Sequence, residues 1–317
     1  MVPSTVPIRV LTAVPICDGH DSAINTINLE LIRNGIEVVY LGYHRGARDI
    51  VRAAVQEDVR AVGISSYNGG HVEFFGAVAR QLRDEGASDI GLFGGGGGTI
   101  TPADAAVMCR NGVDRIFFPG TPFSDIVSFV ASKYGRAGRR STCAPSPDRR
   151  LAQRLSAAEA KVREPQVVKN APAAACPSRR NLKSRPLVIG VTGPGGAGKT
   201  TLIDELVLRL LNANPQSRIA ILSHDPSIVG NGALLGDRAT MVYSQDDRVF
   251  MRSLAARGRA GGLSAANAMI RKLPSGKYRL YSRKTDPKTG KRRNLGTFAS
   301  RAAAEKHEQA VQYFKRH

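Results

Sequence analysis

A short acidic and histidine-containing segment is the first place where this sequence could hold a ligand. Asp18-Gly19-His20-Asp21 follows an apolar run at residues 8–14. A histidine in such a loop can present one ring nitrogen to a ligand. An acid two residues earlier can accept the proton of the other nitrogen and fix the ring's orientation. Alone, the Asp-x-His pair is a weak signal, so its weight depends on the neighbouring loops.

Two glycine-containing loops supply that context. Residues 63–71 (GISSYNGGH) and residues 93–98 (FGGGGG) each follow an apolar run typical of a buried strand. Five consecutive glycines after a strand are costly in backbone entropy, which indicates that something approaches the main chain closely. If these loops lie at one edge of a sheet, they wall a narrow slot beside His20.

A second motif predicts phosphate binding. Residues 193–200 (GPGGAGKT) satisfy GxxxxGK[ST] between a predicted strand at 187–192 and a predicted helix at 200–212. The main-chain NH groups and the helix N-terminus would cradle phosphates, Lys199 would neutralise them, and Thr200 would hold Mg²⁺. The predicted nucleotide-binding residues here are Gly193, Gly195, Gly196, Ala197, Gly198, Lys199, Thr200 and Thr201.

Apolar runs alternate with amphipathic segments in the first part of the chain. The predicted strands are 8–14, 37–41, 61–65, 90–93 and 114–118, and the predicted helices are 22–34, 47–58, 71–86 and 103–111. This alternation predicts a flavodoxin-like, doubly wound parallel sheet covered on both faces. Such folds bind ligands beyond the carboxyl ends of the strands.

The rest of the chain divides into three segments by composition. We predict that the first α/β domain spans 1–132, a basic linker with one helix (148–163) spans 133–185, a partial P-loop domain spans 186–261 and a basic ββα module spans 262–317. The P-loop segment continues with a strand at 218–223, but its two or three strands are too few for a complete nucleotide-binding domain. In the module we expect strands at 276–284 and 292–298, a turn at 286–290 and a helix at 300–316 with Ser300 as N-cap.

The net charge of +20 is concentrated in two of these segments. Residues 133–185 and 262–317 each hold 14 Lys or Arg against 3 Asp or Glu, whereas the remainder has 18 basic and 20 acidic residues. The overall basicity is therefore no argument for nucleic-acid binding by the α/β regions. The four cysteines have no metal-type spacing and are expected to be free thiols. With no signal peptide or apolar span, we expect a cytoplasmic protein that does not contact membranes.

Residues 8–130 resemble the cobalamin domain of the adenosylcobalamin-dependent acyl-CoA mutases. The motifs DGHDSA, SSYNGGH and FGGGGG are most similar to those of the fused isobutyryl-CoA mutases, which carry their own GTPase domain. The wider family has glycine where this chain has Ala23. The resemblance implies that His20 is the lower axial ligand of cobalt, that Asp18 orients it, and that the displaced nucleotide tail of the cofactor enters the slot.

The cofactor-binding residues implied by the resemblance come from all three loops. They are Asp18, Gly19, His20, Asp21, Ser65, Tyr67, Gly69, Gly70, Gly94, Gly95, Gly96, Gly97 and Gly98. His44 and His71 are interpreted as ordinary loop or helix-start histidines, although His71 could face the corrin ring.

Residues 221–227 (ILSHDPS) and 232–238 (GALLGDR) resemble the GTPase domain of the same fused mutases. This resemblance implies Asp225 and Asp237 as Mg²⁺-linked residues and Arg238 as a weaker nucleotide contact. For Asp237 and Arg238 a surface ion pair is an equal alternative. The acidic-Gly motif and the NKxD motif of such GTPases do not occur in the sequence, so we expect GTP binding without guanine selectivity.

Two hypotheses about function follow. The leading one is an adenosylcobalamin-binding mutase module joined to the start of its GTPase domain, which would meet acyl-CoA only through an absent mutase barrel and would be inactive as a mutase alone. The alternative is a non-catalytic cobalamin carrier or sensor whose tail, 262–317, binds nucleic acid through its basic and aromatic residues. A flavodoxin or response-regulator domain is disfavoured, because neither needs the Asp-x-His pair with a five-glycine loop.

Overall fold

The computed structural model describes residues 7–16, 18, 20, 22–135, 141, 143–163, 186–225, 232–255, 270–272, 275, 278–285, 292–300 and 303. Strands and helices alternate over the first 134 residues. The elements are β1 (Arg9–Ala13), α1 (Ser22–Arg33), β2 (Glu37–Tyr40), α2 (Ala47–Gln56), β3 (Ala61–Ser65), α3 (His71–Asp84), β4 (Gly91–Gly95), α4 (Pro102–Arg110), β5 (Arg115–Phe117) and α5 (Phe123–Tyr134).

The first five strands are parallel and lie in the order β5-β4-β3-β1-β2. This is the doubly wound order, so the predicted flavodoxin-like class is confirmed. The five predicted strands and four predicted helices are found at the expected places, whereas α5 was not predicted. The apolar residues of α5 closely follow the apolar run of the fifth strand, and this makes the helical spacing of its apolar residues hard to recognise.

Alternating strand residues supply two separate cores. Leu11 and Val62 belong to the core beneath α2 and α3, whereas Val10 and Phe93 belong to the one beneath α1 and α5. Because both faces of the sheet are covered, the strands are continuous apolar runs instead of alternating ones. The ends of the strands, where the loops lie, are thus the places left for a ligand.

The helix predicted within the basic linker is confirmed as α6 (Pro147–Arg163). It packs on the first domain, which its composition did not predict. Ala152 is fully buried, and Arg149 donates from Nη2 to both carboxylate oxygens of Asp89 at 2.7 and 2.6 Å. This pairing lets a basic helix lie against the domain without an uncompensated buried charge.

The P-loop region contains α7 (Lys199–Ala213), β6 (Ile219–Asp225), β7 (Ala233–Leu235), α8 (Asp237–Thr240), a 3₁₀ turn and β8 (Val249–Ala255). The predicted helix at 200–212 and strand at 218–223 are confirmed. The predicted strand at 187–192 is wrong, because these residues form no strand, and Leu187 and Val188 are 86% and 85% exposed. A strand requires a hydrogen-bonding neighbour, and β6 pairs with β8 instead.

The third strand of the P-loop region joins the first domain. β7 pairs in parallel with β2 and extends the sheet to β5-β4-β3-β1-β2-β7. The approach is close at Gly232, where a Cβ atom would lie 2.3 Å from the main-chain oxygen of Ile32. The two regions therefore share one sheet, which composition alone did not indicate.

A buried ionic cluster reinforces that junction. It joins β1, β2 and the end of α2 to α6, α8 and β8 through Arg9, Glu37, Glu57, Glu159, Arg238 and Arg252. Glu57 is central: Arg238 donates to it at 2.7 Å and Arg9 at 3.3 Å. Burial would raise the pKa of Glu57, but the surrounding arginines outweigh burial and lower it.

The basic tail contains β9 (Ile270–Lys272), β10 (Tyr278–Thr285) and β11 (Arg292–Phe298) in an antiparallel sheet ordered β11-β10-β9. The two predicted strands are confirmed, and β9 was not predicted. The turn at 286–290 lies outside the described residues, as does nearly all of the predicted helix. The NH of Ala303 donates to Ser300 Oγ at 3.2 Å, the geometry of an N-cap.

Candidate functional site

Three loops meet at the carboxyl edge of the sheet. Ser66 NH donates to Gly95 O at 2.9 Å, and Thr99 Oγ1 donates to Tyr67 O at 2.8 Å, so the loops after β3 and β4 are joined. Tyr67 NH also donates to the carboxylate of Asp18, which follows β1. The structure thus brings together the three segments that the sequence singled out. Thr99, which directly follows the glycines, was not predicted to take part.

Asp18 holds His20 in a defined orientation. One carboxylate oxygen of Asp18 accepts the His20 NH at 2.9 Å and lies 2.8 Å from His20 Nδ1. Asp18 is fully buried. Burial would raise the pKa of Asp18, but the hydrogen bonds from the main chain of His20 and Tyr67 and from the His20 ring outweigh it, so its pKa lies below 3.8. Asp18 is therefore a carboxylate that accepts the Nδ1 proton.

This arrangement leaves the other ring nitrogen of His20 available to a ligand. The His20 side chain is 63% exposed, and its Nε2 has no hydrogen bond within the described part of the chain. No group of three or more His, Cys, Asp or Glu residues that could hold a bare metal ion occurs among the described residues. A single histidine fits a metal that a macrocycle already holds, because the macrocycle supplies the remaining ligands.

Tyr67 packs against one face of the histidine ring. Its ring stacks on that of His20 with the centroids 4.7 Å apart. The same ring lies over Gly97, where a Cβ atom would be 1.6 Å from it. The Tyr67 ring thus lies between one face of the His20 ring and the glycine loop.

The close approach inferred from the five glycines is present, and the approaching groups belong to the protein. A Cβ atom would lie 2.4 Å from Ile64 O at Gly94, 2.7 Å from Phe117 O at Gly95 and 2.0 Å from Ser66 O at Gly96. Gly98 has open space, but its φ of +99° disfavours other residues. Main-chain packing between loops is thus sufficient to require glycine at Gly94, Gly95 and Gly96.

The variant Gly96→Ala is expected to lower the free energy of unfolding by about 1–3 kcal/mol, the usual cost of overpacking. The new methyl group would meet the main chain at Ser66, which cannot rotate away. Chemical denaturation measures the effect. Gly69→Ala is the matched control, because a Cβ atom there has no neighbour within 4 Å. Equal stabilities of the two variants would show that the loops are not packed this way.

The other residues predicted to bind the cofactor lie at the ends of strands and helices or outside the described residues. Gly19 and Asp21 lie outside the described residues. Ser65 ends β3, and Gly70 is the N-cap of α3. His71 is buried, with Nε2 3.3 Å from a carboxylate oxygen of Asp104 in α4, so it links two helices.

The phosphate loop has an open geometry. Residues 193–198 are followed at once by α7, whose N-cap Gly198 has a φ of +71°. Lys199 Nζ donates to Pro194 O at 2.7 Å, so the lysine folds back over the loop. The N-terminus of a fifteen-residue helix and a lysine above it form an arrangement that suits phosphate oxygens.

Two acids lie near this loop. Asp225 ends β6 and accepts a hydrogen bond from the NH of Gly236 at 3.3 Å, while Asp237 accepts one from Ser223 Oγ. Burial is the largest cause that raises the pKa of Asp237, and the charge of Asp225 adds to it, whereas Lys199 acts in the opposite direction. A cation between such acids would relieve their repulsion, and carboxylates suit Mg²⁺.

Arg238 lies inside the junction between the two regions. It is fully buried and donates to Glu57, Gln56 and the main-chain oxygen of Met251. Neither alternative considered for it, a nucleotide contact or a surface ion pair with Asp237, describes this environment. The GALLGDR segment to which Arg238 belongs gave no signal for this environment, since its side-chain partners Glu57 and Gln56 are about 180 residues away in sequence.

The fold and this site define a B12-binding α/β domain followed by a P-loop region. The family profile for the B12 binding domain matches residues 8–127. The profile for the methylmalonyl-CoA mutase-associated GTPase MeaB matches residues 160–276. The second match extends beyond our predicted segment of 186–261 at both ends, and those domain boundaries stay a prediction.

Curated relatives match one or both of these parts. The fused isobutyryl-CoA mutase of Geobacillus kaustophilus is 39% identical over 278 residues, which are 82% of this chain and 25% of the relative. The 2-hydroxyisobutanoyl-CoA mutase small subunit of Aquincola tertiaricarbonis is 33% identical over 42% of this chain and 97% of its own length. A putative GTPase of Pyrococcus horikoshii is 46% identical over 25% of each chain. Because the chain covers 97% of that mutase small subunit at 33% identity, it belongs to the family of the B12-binding parts of acyl-CoA mutases.

The matches to the fused mutases cover a part of those proteins. The chain spans about a quarter of the length of the fused mutases that it resembles. No helix in the described ranges is long and apolar enough to cross a membrane.

Proposed function

We propose that this chain supplies the adenosylcobalamin-binding module of an acyl-CoA mutase of the isobutyryl-CoA or methylmalonyl-CoA type, together with the beginning of its GTPase domain. The observation that carries the proposal is the geometry at His20, where Asp18 fixes Nδ1 and leaves Nε2 available. The adenosyl form of the cofactor is inferred from the mutase relatives. Cytoplasmic location remains a prediction.

The residues of the chain would bind and orient the cofactor. When bound, adenosylcobalamin supplies the radical chemistry for the 1,2-rearrangement of an acyl-CoA carbon skeleton. His20 would donate the Nε2 lone pair to cobalt, and Asp18 would hold the Nδ1 proton and so raise the donor strength of the ring. Tyr67 would leave the face of His20, and the loops around Gly69, Gly70 and Gly98, where there is open space, would line the nucleotide tail.

The acyl-CoA substrate would bind to a mutase domain that the matched residues do not include. We therefore expect the 1–317 chain to bind the cofactor without turning over an acyl-CoA. An acyl-CoA turnover assay of the 1–317 chain, with and without a separately produced mutase large subunit of the same family, would test the expectation that the chain alone has no mutase activity.

A spectroscopic titration tests the proposal. Adenosylcobalamin added to the 1–317 chain should bind with its own base displaced and His20 on cobalt, which shifts the visible spectrum. His20→Ala should remove the histidine-ligated spectrum. An unchanged cofactor spectrum on adding the wild-type chain, or identical spectra for the wild-type and His20→Ala complexes, would contradict the proposal.

For the second region we propose binding of a guanine nucleotide with Mg²⁺. Lys199 and the N-terminus of α7 would contact phosphates, Thr200 would bind Mg²⁺, and Asp225 and Asp237 would stabilise the ion. The proximity of the two acids supports this assignment. Because NKxD does not occur in residues 1–317, no carboxylate of that motif reads the guanine edge.

The 1–317 chain is accordingly expected to bind GTP and ATP with similar, weak affinities. Isothermal titration with each nucleotide in the presence of Mg²⁺ measures this, and Lys199→Ala is the control for binding at the loop. Tight and GTP-selective binding would show that the base is read by residues outside the known motif.

The alternative function, a cobalamin carrier or sensor with a nucleic-acid-binding tail, rests on the charge of residues 262–317. Their antiparallel sheet offers a surface that could contact phosphates. Charge reversal at both Arg292 and Arg293 would then weaken duplex DNA binding and flatten its salt dependence. No mobility shift by the 1–317 chain at low salt would exclude this alternative.

A further inference from the structure

We propose that His44 and Arg45, in the loop after β2, are positioning residues for the cobalt-binding loop. The inference rests on the proposed function, because it assigns these residues to the orientation of His20. Neither residue contacts His20 in the structure. They act through the main chain of residues 14–16 and 18, which we call the ligand turn.

The side chain of His44 reaches the ligand turn directly. Its Nδ1 lies 3.0 Å from the main-chain oxygen of Ile16, and since a carbonyl only accepts, Nδ1 is the donor. His44 has a φ of +58°, a left-handed conformation that is uncommon for residues other than glycine. Replacing His44 therefore changes both the backbone cost of this conformation and the contact with Ile16.

Arg45 fixes the same turn from its main chain. Its NH donates to Val14 O at 3.1 Å, and Pro15 and Arg45 form a parallel bridge. The guanidinium group donates to Leu41 O at 2.7 Å and to Ala239 O of α8 at 2.8 Å. Arg45 thus holds the loop after β2 in place between the ligand turn and the P-loop region.

The ligand turn passes this constraint to the histidine. The NH of Asp18 donates to Pro15 O at 3.0 Å, which closes the turn, and the Asp18 carboxylate orients the His20 ring. Tyr67 NH holds Asp18 from the other side. Because His20 itself is largely exposed, its orientation depends on these contacts. Without His44, part of the entropy cost of ordering the turn would be paid on cofactor binding.

The conformation of His44 gives a sharp choice of variants. His44→Gly relieves the left-handed strain and removes the contact with Ile16. His44→Asn tolerates a positive φ, and its amide can donate to the same carbonyl. Asp58→Gly is a matched control, because Asp58 also has a positive φ, of 47°, but lies between α2 and β3, away from the ligand turn.

The test is a titration of adenosylcobalamin with the 1–317 chain and these three variants, with unfolding followed by circular dichroism. His44→Gly should weaken binding by about tenfold, the lower end for partners that orient a ligating histidine. It should also reduce the histidine-ligated fraction at saturation, without lowering the unfolding midpoint. His44→Asn should restore both properties, and Asp58→Gly should leave them unchanged.

The outcomes separate this inference from the proposed function. If the wild-type chain binds with His20 on cobalt but His44→Gly has the same affinity and spectrum, the positioning role is overturned while the proposed function stands. If the wild-type chain does not bind, the proposed function fails. Arg45→Met, which keeps the apolar stem but loses both guanidinium contacts, should weaken binding in the same direction, and wild-type affinity there would contradict the role of Arg45.

Discussion

Replacing Glu57 with glutamine is expected to lower the free energy of unfolding by about 3–5 kcal/mol, the usual cost of breaking a buried ion pair. Glu57 is fully buried and accepts hydrogen bonds from Arg238, Arg9 and Ser253. Glutamine keeps the shape but removes the carboxylate that compensates the buried charge of Arg238. Denaturant unfolding at neutral pH measures the loss.

The control for this variant is Glu30→Gln, which removes the exposed Glu30–Arg33 pair on α1 and should change stability by less than about 1 kcal/mol. The pH dependence of unfolding gives a second check. Because the pKa of Glu57 is below 4.5 in the folded chain, its stabilisation is present above that pH and is lost as the pH falls through the lowered value. The difference between wild type and Glu57→Gln should shrink accordingly. Equal losses for both glutamine variants would mean that the junction is not held by this cluster.

Asp18→Asn is expected to weaken cobalamin binding by about 10–100-fold. The carboxylate accepts from three NH groups: those of the His20 main chain, the His20 ring and the Tyr67 main chain. An asparagine side chain has one acceptor oxygen, so its amide NH₂ must face at least one of these donors. The histidine would lose its fixed tautomer and orientation.

Affinity from a spectroscopic titration tests this expectation. Asp125→Asn, at an exposed acid in the first turn of α5, is the matched control and should bind like the wild type. If Asp18→Asn also keeps wild-type affinity, the Asp18–His20 pair has no part in ligation.

Much of the first domain could be predicted because its signals are local. Apolar runs and amphipathic segments defined five strands and four helices, and the parallel arrangement places their loops at one edge. The Asp18–His20 pair was predictable for the same reason, since the two residues are neighbours in sequence. The stacking of Tyr67 on His20 could not be predicted, because it depends on the rotamer of the tyrosine side chain.

Contacts between distant parts of the chain could not be predicted. The pairing of β7 with β2 joins residues about 200 apart, and nothing in a three-residue strand specifies its neighbour. The burial of Arg238 depends on Glu57 in the same way. The strand expected at 187–192 shows the converse: its apolar sequence favours a strand, but such a segment forms a strand only beside a hydrogen-bonding partner.

These contacts also change the interpretation of the two regions. Composition suggested a cofactor domain and a nucleotide region separated by a linker. In the structure α6 packs on the first domain, β7 extends its sheet, and Arg45 connects α8 to the loop after β2. The cofactor site therefore lies on a framework to which both regions contribute.

Electron paramagnetic resonance of the bound cobalt(II) form of the cofactor tests ligation by His20 most directly. The 1–317 chain should be prepared with nitrogen-15 in its histidines and loaded with cofactor of natural isotopic composition. If His20 Nε2 is the axial ligand, the nitrogen splitting of the cobalt signal changes from a triplet to a doublet on labelling. A triplet that persists in the labelled protein would show that the cofactor's own base still occupies the axial position and would contradict the account.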